Sequence, residues 1–156
     1  MKCFNEKYIE TMEWICKDFD YFCSYLVQNK VKLSNTTGMI GKKACFEINQ
    51  KMYRREKYER MARLQEAYPV IHFMHYVAFS FRILDIDHGY IVFGSKYDAY
   101  KKASTVEKYL LFFTCFLYDG TCWGHNEYLY LYNIYDLLLW VIDENEKESF
   151  RYNDNM

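Results

Sequence analysis

The chain has 156 residues, of which 51% are hydrophobic and 21% aromatic, so it can bury a core of its own, and disorder is excluded for all but its ends. Its net charge of −1 hides two segments of opposite sign: residues 29–64 hold ten Lys/Arg against three Asp/Glu, whereas residues 119–156 hold two against eight. The overall pI of about 6.4 lies far below the value above ~9 that is typical of a nucleic-acid-binding domain.

A long amphipathic helix is predicted first, from an N-cap at Asn5 to about Gln28, because apolar residues recur at steps of three and four. These residues are Tyr8, Met12, Ile15, Phe19, Phe22 and Leu26. Residues 31–33 predict a short extended piece, and the turn-forming residues 34–38 follow it. A second helix is predicted from about Gly41, with Ile40, Ala44, Cys45, Ile48 and Met52 spaced for one buried face.

Residues 53–67, YRREKYERMARLQEA, predict a charged third helix in which Glu56 and Arg60 are spaced for an intrahelical ion pair. Its cations form either a solvated face or a binding patch. With the lysines of the second helix, they make up the predicted partner- or phosphate-binding set: Lys42, Lys43, Lys51, Arg54, Arg55, Lys57, Arg60 and Arg63.

The central stretch, residues 69–93, predicts a buried helix that leads directly into a hairpin. Pro69 suits the first turn of a helix, and the apolar residues that follow cover almost its whole circumference: Val70, Phe73, Met74, Val77 and Phe81 form the main row. Residues 84–87 and 90–93 then predict two strands, joined by a turn at His88 and Gly89 that can adopt positive φ.

Two serines begin capping-box patterns in the next stretch. Ser95 predicts a short helix through Lys102, and Ser104 with Glu107 predicts a longer helix. One face of the longer helix carries Val106, Leu110, Phe113 and Leu117, and Tyr109, Phe112 and Phe116 lie beside it. A last helix is predicted from an N-cap at Asn126 through Ile142, and residues 143–156 predict a frayed acidic tail.

These elements predict one compact domain over residues 1–156. Its fold class is mainly α, formally α+β, with a helical domain that carries one small β-hairpin between flanking N- and C-terminal helices. The N-terminus, MKCFNEKYIE, contains no apolar signal region, and no run reaches the ~18 apolar residues of a membrane span. We therefore expect a cytoplasmic protein that does not contact a membrane and keeps its six cysteines as free thiols.

Two groups of residues raise the question of a metal site. His72 and His75 lie three residues apart but have no carboxylate or cysteine at ligand spacing, which is typical of core histidines. Cys115, Cys122 and His125 form the only Cys/His cluster of the chain, and it lacks a fourth ligand nearby. We predict no metal and no cofactor, and leave open whether this cluster binds a metal.

The sequence predicts no enzyme. It contains neither a serine nucleophile elbow nor a glycine-rich phosphate cradle. Asp85 and Asp87 share one face of a strand, but on such a hairpin the polar face meets water.

Residues 31–113 resemble a winged-helix-like module of uncharacterised Firmicutes proteins that often stands beside a plasmid ORF-3-type domain. The resemblance covers about half of the chain, and the sequence departs from the pattern at Phe81-Arg82, where a glycine commonly precedes the wing. It implies a winged-helix fold and no settled activity. Its residues are Val31-Lys32-Leu33, Thr37-Gly38, Ile40-Gly41-Lys42-Lys43, Ile48-Asn49, Tyr68-Pro69, Tyr90-Ile91-Val92-Phe93 and the helix from Ser104.

Two functions remain open at this stage. The first is a non-catalytic interaction protein, such as a phage or mobile-element accessory factor or inhibitor, that engages a host protein or protein–nucleic-acid complex through its basic residues and exposed tyrosines. The abundance of tyrosine, 17 residues, favours it, because exposed tyrosines are enriched at protein interfaces. The alternative is a winged-helix DNA-binding transcriptional regulator that contacts phosphates, although the predicted helix before the wing offers few side chains that read bases.

Overall fold

The computed structural model describes residues 2–53, 55–61 and 64–118. Its elements confirm a mainly helical fold with one small hairpin: α1 (Lys2–Gln28), α2 (Lys42–Asn49), a 3-10 turn (Gln65–Ala67), α3 (Pro69–Ser80), β1 (Leu84–Asp87), β2 (Tyr90–Phe93), α4 (Tyr97–Lys102) and α5 (Thr105–Tyr118). The predicted helix from Asn126 and the predicted tail at 143–156 lie outside the described residues.

Contacts within the chain separate two compact units. One is Glu10–Phe112, and the other is composed of Met1–Ile9 and Phe113–Met156. All interactions that we interpret functionally lie inside Glu10–Phe112. The prediction of one domain over residues 1–156 stays a prediction.

Helix α1 supplies one wall of the core of Glu10–Phe112. The predicted row of apolar residues is confirmed from Met12 onward, because Met12, Ile15, Phe19, Phe22 and Leu26 are all buried, and the side chain of Tyr8 lies outside the described part. The helix ends at Gln28 as predicted but begins at Lys2, before the predicted N-cap at Asn5.

Helix α3 is covered on most of its circumference, as its all-round apolar sequence predicts. Ile71, Met74, Val77 and Ala78 are buried, and every other residue from 69 to 79 is at least half-buried. The helix ends at Ser80 because Arg82 adopts a left-handed conformation with φ of 53°, and the Ile83 N–H then returns to the Ala78 carbonyl at 2.8 Å.

The hairpin forms with the predicted bounds and turn. Its register pairs Leu84 with Phe93 and Asp87 with Tyr90, and His88 and Gly89 adopt φ of 48° and 80°. These values match a two-residue type I′ turn, which suits the right-handed twist of the strands.

The predicted extended piece at residues 31–33 pairs with the free edge of β2. Lys32 forms an antiparallel bridge with Tyr90, and the Ile91 N–H donates to the Val31 carbonyl at 2.9 Å. The spatial order is therefore residues 31–33, then β2, then β1. Residues 31–33 thus add a third extended segment beside β2, and they follow the end of α1 in the chain.

The chain passes very close to itself where β2 ends. A Cβ atom added at Gly94 would lie 2.3 Å from the Arg82 carbonyl oxygen and 2.8 Å from its carbon. Only glycine fits this position, because both neighbouring atoms belong to the backbone and cannot rotate away.

Of the two predicted capping boxes, one is confirmed and the other is wrong. At the start of α5, Glu107 Oε2 accepts hydrogen bonds from the Ser104 N–H at 2.7 Å and from its hydroxyl at 2.8 Å. These bonds lower the pKa of the Glu107 carboxyl group. Helix α4 begins after Lys96 and has no side-chain cap, so Ser95 does not play the predicted role.

The two neighbouring apolar rows that the sequence predicts on α5 differ in burial. Val106 and Leu110 are 42% and 38% exposed, whereas Tyr109 and Phe112 are buried. The reason is aromatic packing, since the Phe112 ring meets the ring of Phe19 edge-on at 5.0 Å. The row with the aromatic rings of Tyr109 and Phe112 is therefore buried, and the aliphatic row with Val106 and Leu110 is not.

Candidate interaction surface

Residues 50–64, which we name the basic segment, overlap the helix that the sequence predicts over residues 53–67, but their described residues do not form it. The described part of the segment is irregular up to the 3-10 turn at Gln65–Ala67. Side chains from α1 and α2 bind its main-chain groups, so these groups are not available for helical hydrogen bonds. The ion pairs expected in a helix are each worth only tenths of a kcal/mol and do not compensate for the loss.

Asp18 and Asn49 provide these side-chain bonds. Asp18 on α1 is buried, and both of its carboxylate oxygens lie 3.1 Å from the Tyr53 N–H. Asn49 is 2% exposed; its Oδ1 accepts from the Glu56 N–H at 2.8 Å, and its Nδ2 donates to the Glu56 carbonyl at 2.9 Å. The two residues hold the main chain of the basic segment at two points.

The residues that directly follow the basic segment are also fixed by side-chain hydrogen bonds. The side chain of Gln65 is buried, with Oε1 accepting from the Ile40 N–H at 2.6 Å and the amide nitrogen 3.2 Å from His72 Nδ1. The Tyr58 hydroxyl donates to the Ala67 carbonyl at 2.7 Å. The described residues of the basic segment are therefore held at Tyr53, Glu56 and Tyr58, and the 3-10 turn that follows is fixed at Gln65.

The outer side of the basic segment is unusually apolar for a charged loop. Tyr53, Leu64 and Met61, at 64%, 60% and 50% exposure, are the three most exposed large hydrophobic residues in the described part of the chain. The Tyr53 ring stacks on Trp14 with centroids 5.7 Å apart, which fixes the orientation of its exposed face. Aromatic residues and methionine on such a surface are typical of protein interfaces.

The predicted binding residues lie on the same stretch of chain as these apolar residues or just before it. Lys42 and Lys43 form the first turn of α2, and Arg54 and Arg63 lie outside the described residues. The other members are exposed in the basic segment: Lys51, Arg55, Lys57 and Arg60. Among the described members of the set, only Lys43 makes an ion pair, at 3.9 Å from Glu47. The other described cations keep their charge available for an external partner.

Helix α3 and the hairpin present different chemistry. The helix carries no lysine, arginine, asparagine or glutamine from Pro69 to Ser80, and its two histidines are half-buried. Asp85 and Asp87 are exposed on the hairpin. A helix of this composition has few groups to read base edges, and the two carboxylates would repel phosphates.

The histidines and cysteines of the described region do not assemble a metal site. No group of three or more His, Cys, Asp or Glu residues there is arranged to hold an ion. Burial, followed by the neighbouring imidazole of His72, lowers the pKa of His75 to about 4. Cys16 and Cys45 are buried, and burial raises the pKa of each thiol to about 12. Cys122 and His125 lie outside the described residues.

Asp18, Asn49 and Gln65 are the structurally decisive residues that the sequence analysis misses. Two of them carry a signal: Asp18 lies at helical spacing from Ile15 and Phe22, and Asn49 follows Cys45 by four residues. A polar residue within a buried row of a helix indicates a buried hydrogen-bond partner. For Gln65 we find no such pattern.

Comparison with protein-family models, with curated proteins and with solved structures gave no match. None of the helices in the described ranges has the length and apolar character needed to cross a bilayer.

Proposed function

We propose that the chain is a non-catalytic interaction protein whose basic segment binds an acidic surface on a protein or on a protein–nucleic-acid complex. The observation that carries this proposal is the coincidence, on one ordered loop, of the most exposed apolar side chains with exposed unpaired cations. An accessory factor of a phage or mobile element that inhibits or adapts a host machine would act in this way.

The ordered main chain of the segment supports a binding role. Burying the side chains of Asp18 and Asn49 costs free energy unless their hydrogen bonds are made. Here these hydrogen bonds fix main-chain groups of a surface loop. A loop that is ordered before binding loses less conformational entropy in the complex, so more of the contact energy appears as affinity. A stable interface of this kind would bury on the order of 800 Å² on each partner.

A pair of matched charge reversals tests the proposal. The test variant carries Arg55→Glu and Lys57→Glu in the basic segment, and the control variant carries Lys101→Glu and Lys102→Glu on α4, where both lysines are also exposed. Both variants change the net charge equally. Quantitative affinity capture from host extract, after nuclease treatment, should recover the same partner with the wild type and the control, and at least tenfold less of it with the test variant.

Two results would overturn the proposal. Equal recovery by both variants would show that the basic segment is not the interface. Capture of nucleic acid without any protein by the wild type, before nuclease treatment, would show that nucleic acid alone is what the chain binds.

A second candidate, the winged-helix DNA-binding regulator, is favoured by one observation. Residues 31–33 lie between α1 and α2 in sequence and pair with β2, which gives the element order and sheet order expected of a winged helix. Binding would then depend on phosphate contacts from the exposed cations, since α3 is poorly equipped to read bases. Titration of labelled duplex DNA by fluorescence anisotropy should show affinity that falls steeply with salt if this candidate is correct.

A further inference from the structure

A second surface feature lies apart from the basic segment, where the end of α3, helix α4 and the first half of α5 meet. It is an open cleft of about 510 Å³. Phe81, Ile83, Tyr100 and Leu111 contribute apolar side chains to its walls. Its size falls within the range of ~300–1,000 Å³ that is usual for small-molecule sites.

Two of the charged residues that line the cleft are committed to internal partners. Lys108 Nζ lies 3.4 Å from Asp20 Oδ2 and 4.5 Å from the centroid of the Tyr100 ring. The Glu107 carboxylate accepts both hydrogen bonds of the Ser104 cap. The Lys108 charge is paired with Asp20, whereas Glu107 keeps its negative charge, so the four charged residues of the lining retain an excess of positive charge.

The other two charged residues of the lining are available. Arg82 and Lys96 are exposed and make no ion pair within the described part of the chain. Their main chains are joined directly, because the Lys96 N–H donates to the Arg82 carbonyl at 3.0 Å. The side chains of Arg82 and Lys96 therefore leave the main chain at adjacent positions. They place two positive charges, without an ion-pair partner among the described residues, beside the apolar walls of the cleft.

We propose that this cleft binds a small amphipathic organic anion. The carboxylate or equivalent acidic group of the ligand pairs with Arg82 and Lys96, and its aliphatic or aromatic body lies against Phe81 and Leu111. Charge complementarity selects the anion, and the apolar walls select the body, so neither an inorganic ion nor a neutral hydrocarbon satisfies the whole site.

Titration of the full chain with three probes, followed by amide chemical shifts, tests the proposal. The probes are octanoate, which has both features, acetate, which lacks the apolar body, and octan-1-ol, which lacks the charge. We expect octanoate to shift the resonances of residues 81–83, 96–103 and 107–111, with an affinity at least tenfold higher than that of either other probe.

Three variants locate the site. Arg82→Gln together with Lys96→Gln removes the charges, and Ala99→Phe fills the cleft from an exposed position of its lining. Each should weaken octanoate binding at least tenfold, whereas Lys101→Gln, on α4 but outside the lining, should leave it unchanged. Equal affinity for acetate and octanoate, octanoate shifts outside the cleft, or unchanged binding by Ala99→Phe would overturn the proposal.

Discussion

Residues 69–94 and the basic segment are neighbours in sequence, but they are ordered in different ways. In the first region, proline at the start of α3, a left-handed residue at its end and a type I′ turn specify each bend within a few residues. In the basic segment, Tyr53 is held by Asp18 from 35 residues away, and Glu56 is held by a side chain of α2.

This difference separates structure that is encoded locally from structure that depends on the rest of the fold. A region of the first kind tolerates loss of distant contacts but not a wrong residue at a bend. A region of the second kind tolerates changes in its own residues but not loss of the side chains that hold it. The following predictions, from the largest expected effect to the smallest, test that distinction.

Gly94→Ala should give the largest loss of stability, about 3 kcal/mol, because its new Cβ would overlap the Arg82 backbone at the base of the hairpin. Urea unfolding followed by circular dichroism would measure it. Gly41→Ala is the control, since a Cβ there meets nothing within 4 Å, and it should change stability by less than ~1 kcal/mol. Similar effects of both substitutions would contradict a steric requirement at Gly94.

Asn49→Ala should cost about 2 kcal/mol, because it removes two hydrogen bonds to Glu56 and leaves half-buried main-chain groups unsatisfied. Hydrogen exchange should then show loss of protection at Glu56, with the hairpin amides unaffected. Gln50→Ala, at the half-buried neighbouring position, serves as the control. If protection in the hairpin fell as much as at Glu56, the two regions would not be independent.

Lowering the pH should destabilise the fold through His75. Its pKa of about 4 lies below the ordinary value of 6.5, so the unfolded chain binds the proton more readily and stability falls as the pH drops through this interval. The expected loss attributable to His75 is about 1 kcal/mol between pH 7 and pH 5.5.

This loss of stability should disappear in His75→Gln. It should persist in His88→Gln, because the side chain of His88 is 92% exposed. Urea unfolding of the three proteins at both pH values provides the comparison. An unchanged pH dependence in His75→Gln would assign the titration to another group.

Arg82→Gly should raise stability by about 0.5 kcal/mol, because glycine adopts the φ of 53° without the steric penalty of a Cβ, at some cost in unfolded-state entropy. Arg82→Ala keeps the Cβ and removes the guanidinium, so it should bring no gain. A gain with alanine would show that the charge, and not the backbone, limits stability at this bend.

Sequence patterns anticipate most of the locally encoded region. The alternation of residues 84–87 with the His88-Gly89 turn leads to the observed hairpin, and Ser104 with Glu107 leads to the observed cap of α5. These signals succeed because the residues that interact are at most a few positions apart. The sequence does not decide which of the two apolar rows of α5 is buried, because that choice depends on Phe19, far away in sequence.

The candidate interaction surface was predictable in composition but not in structure. The cations of residues 42–60 are evident in the sequence, and the described ones are exposed. The sequence predicts a helix over residues 53–67 because charged residues with good helix propensity carry no mark of the bonds from Asp18 and Asn49. Long-range bonds to main-chain groups leave no periodic pattern in the segment that receives them.

Asp18 and Asn49 hold the basic segment through main-chain atoms, the Tyr53 N–H and the N–H and carbonyl of Glu56. Bonds of this kind are indifferent to the side chains that the loop carries. Arg55, Lys57 and Met61 make none of these bonds, so substitutions at these exposed positions should alter the chemistry of the surface and leave the hydrogen bonds at Tyr53 and Glu56 in place.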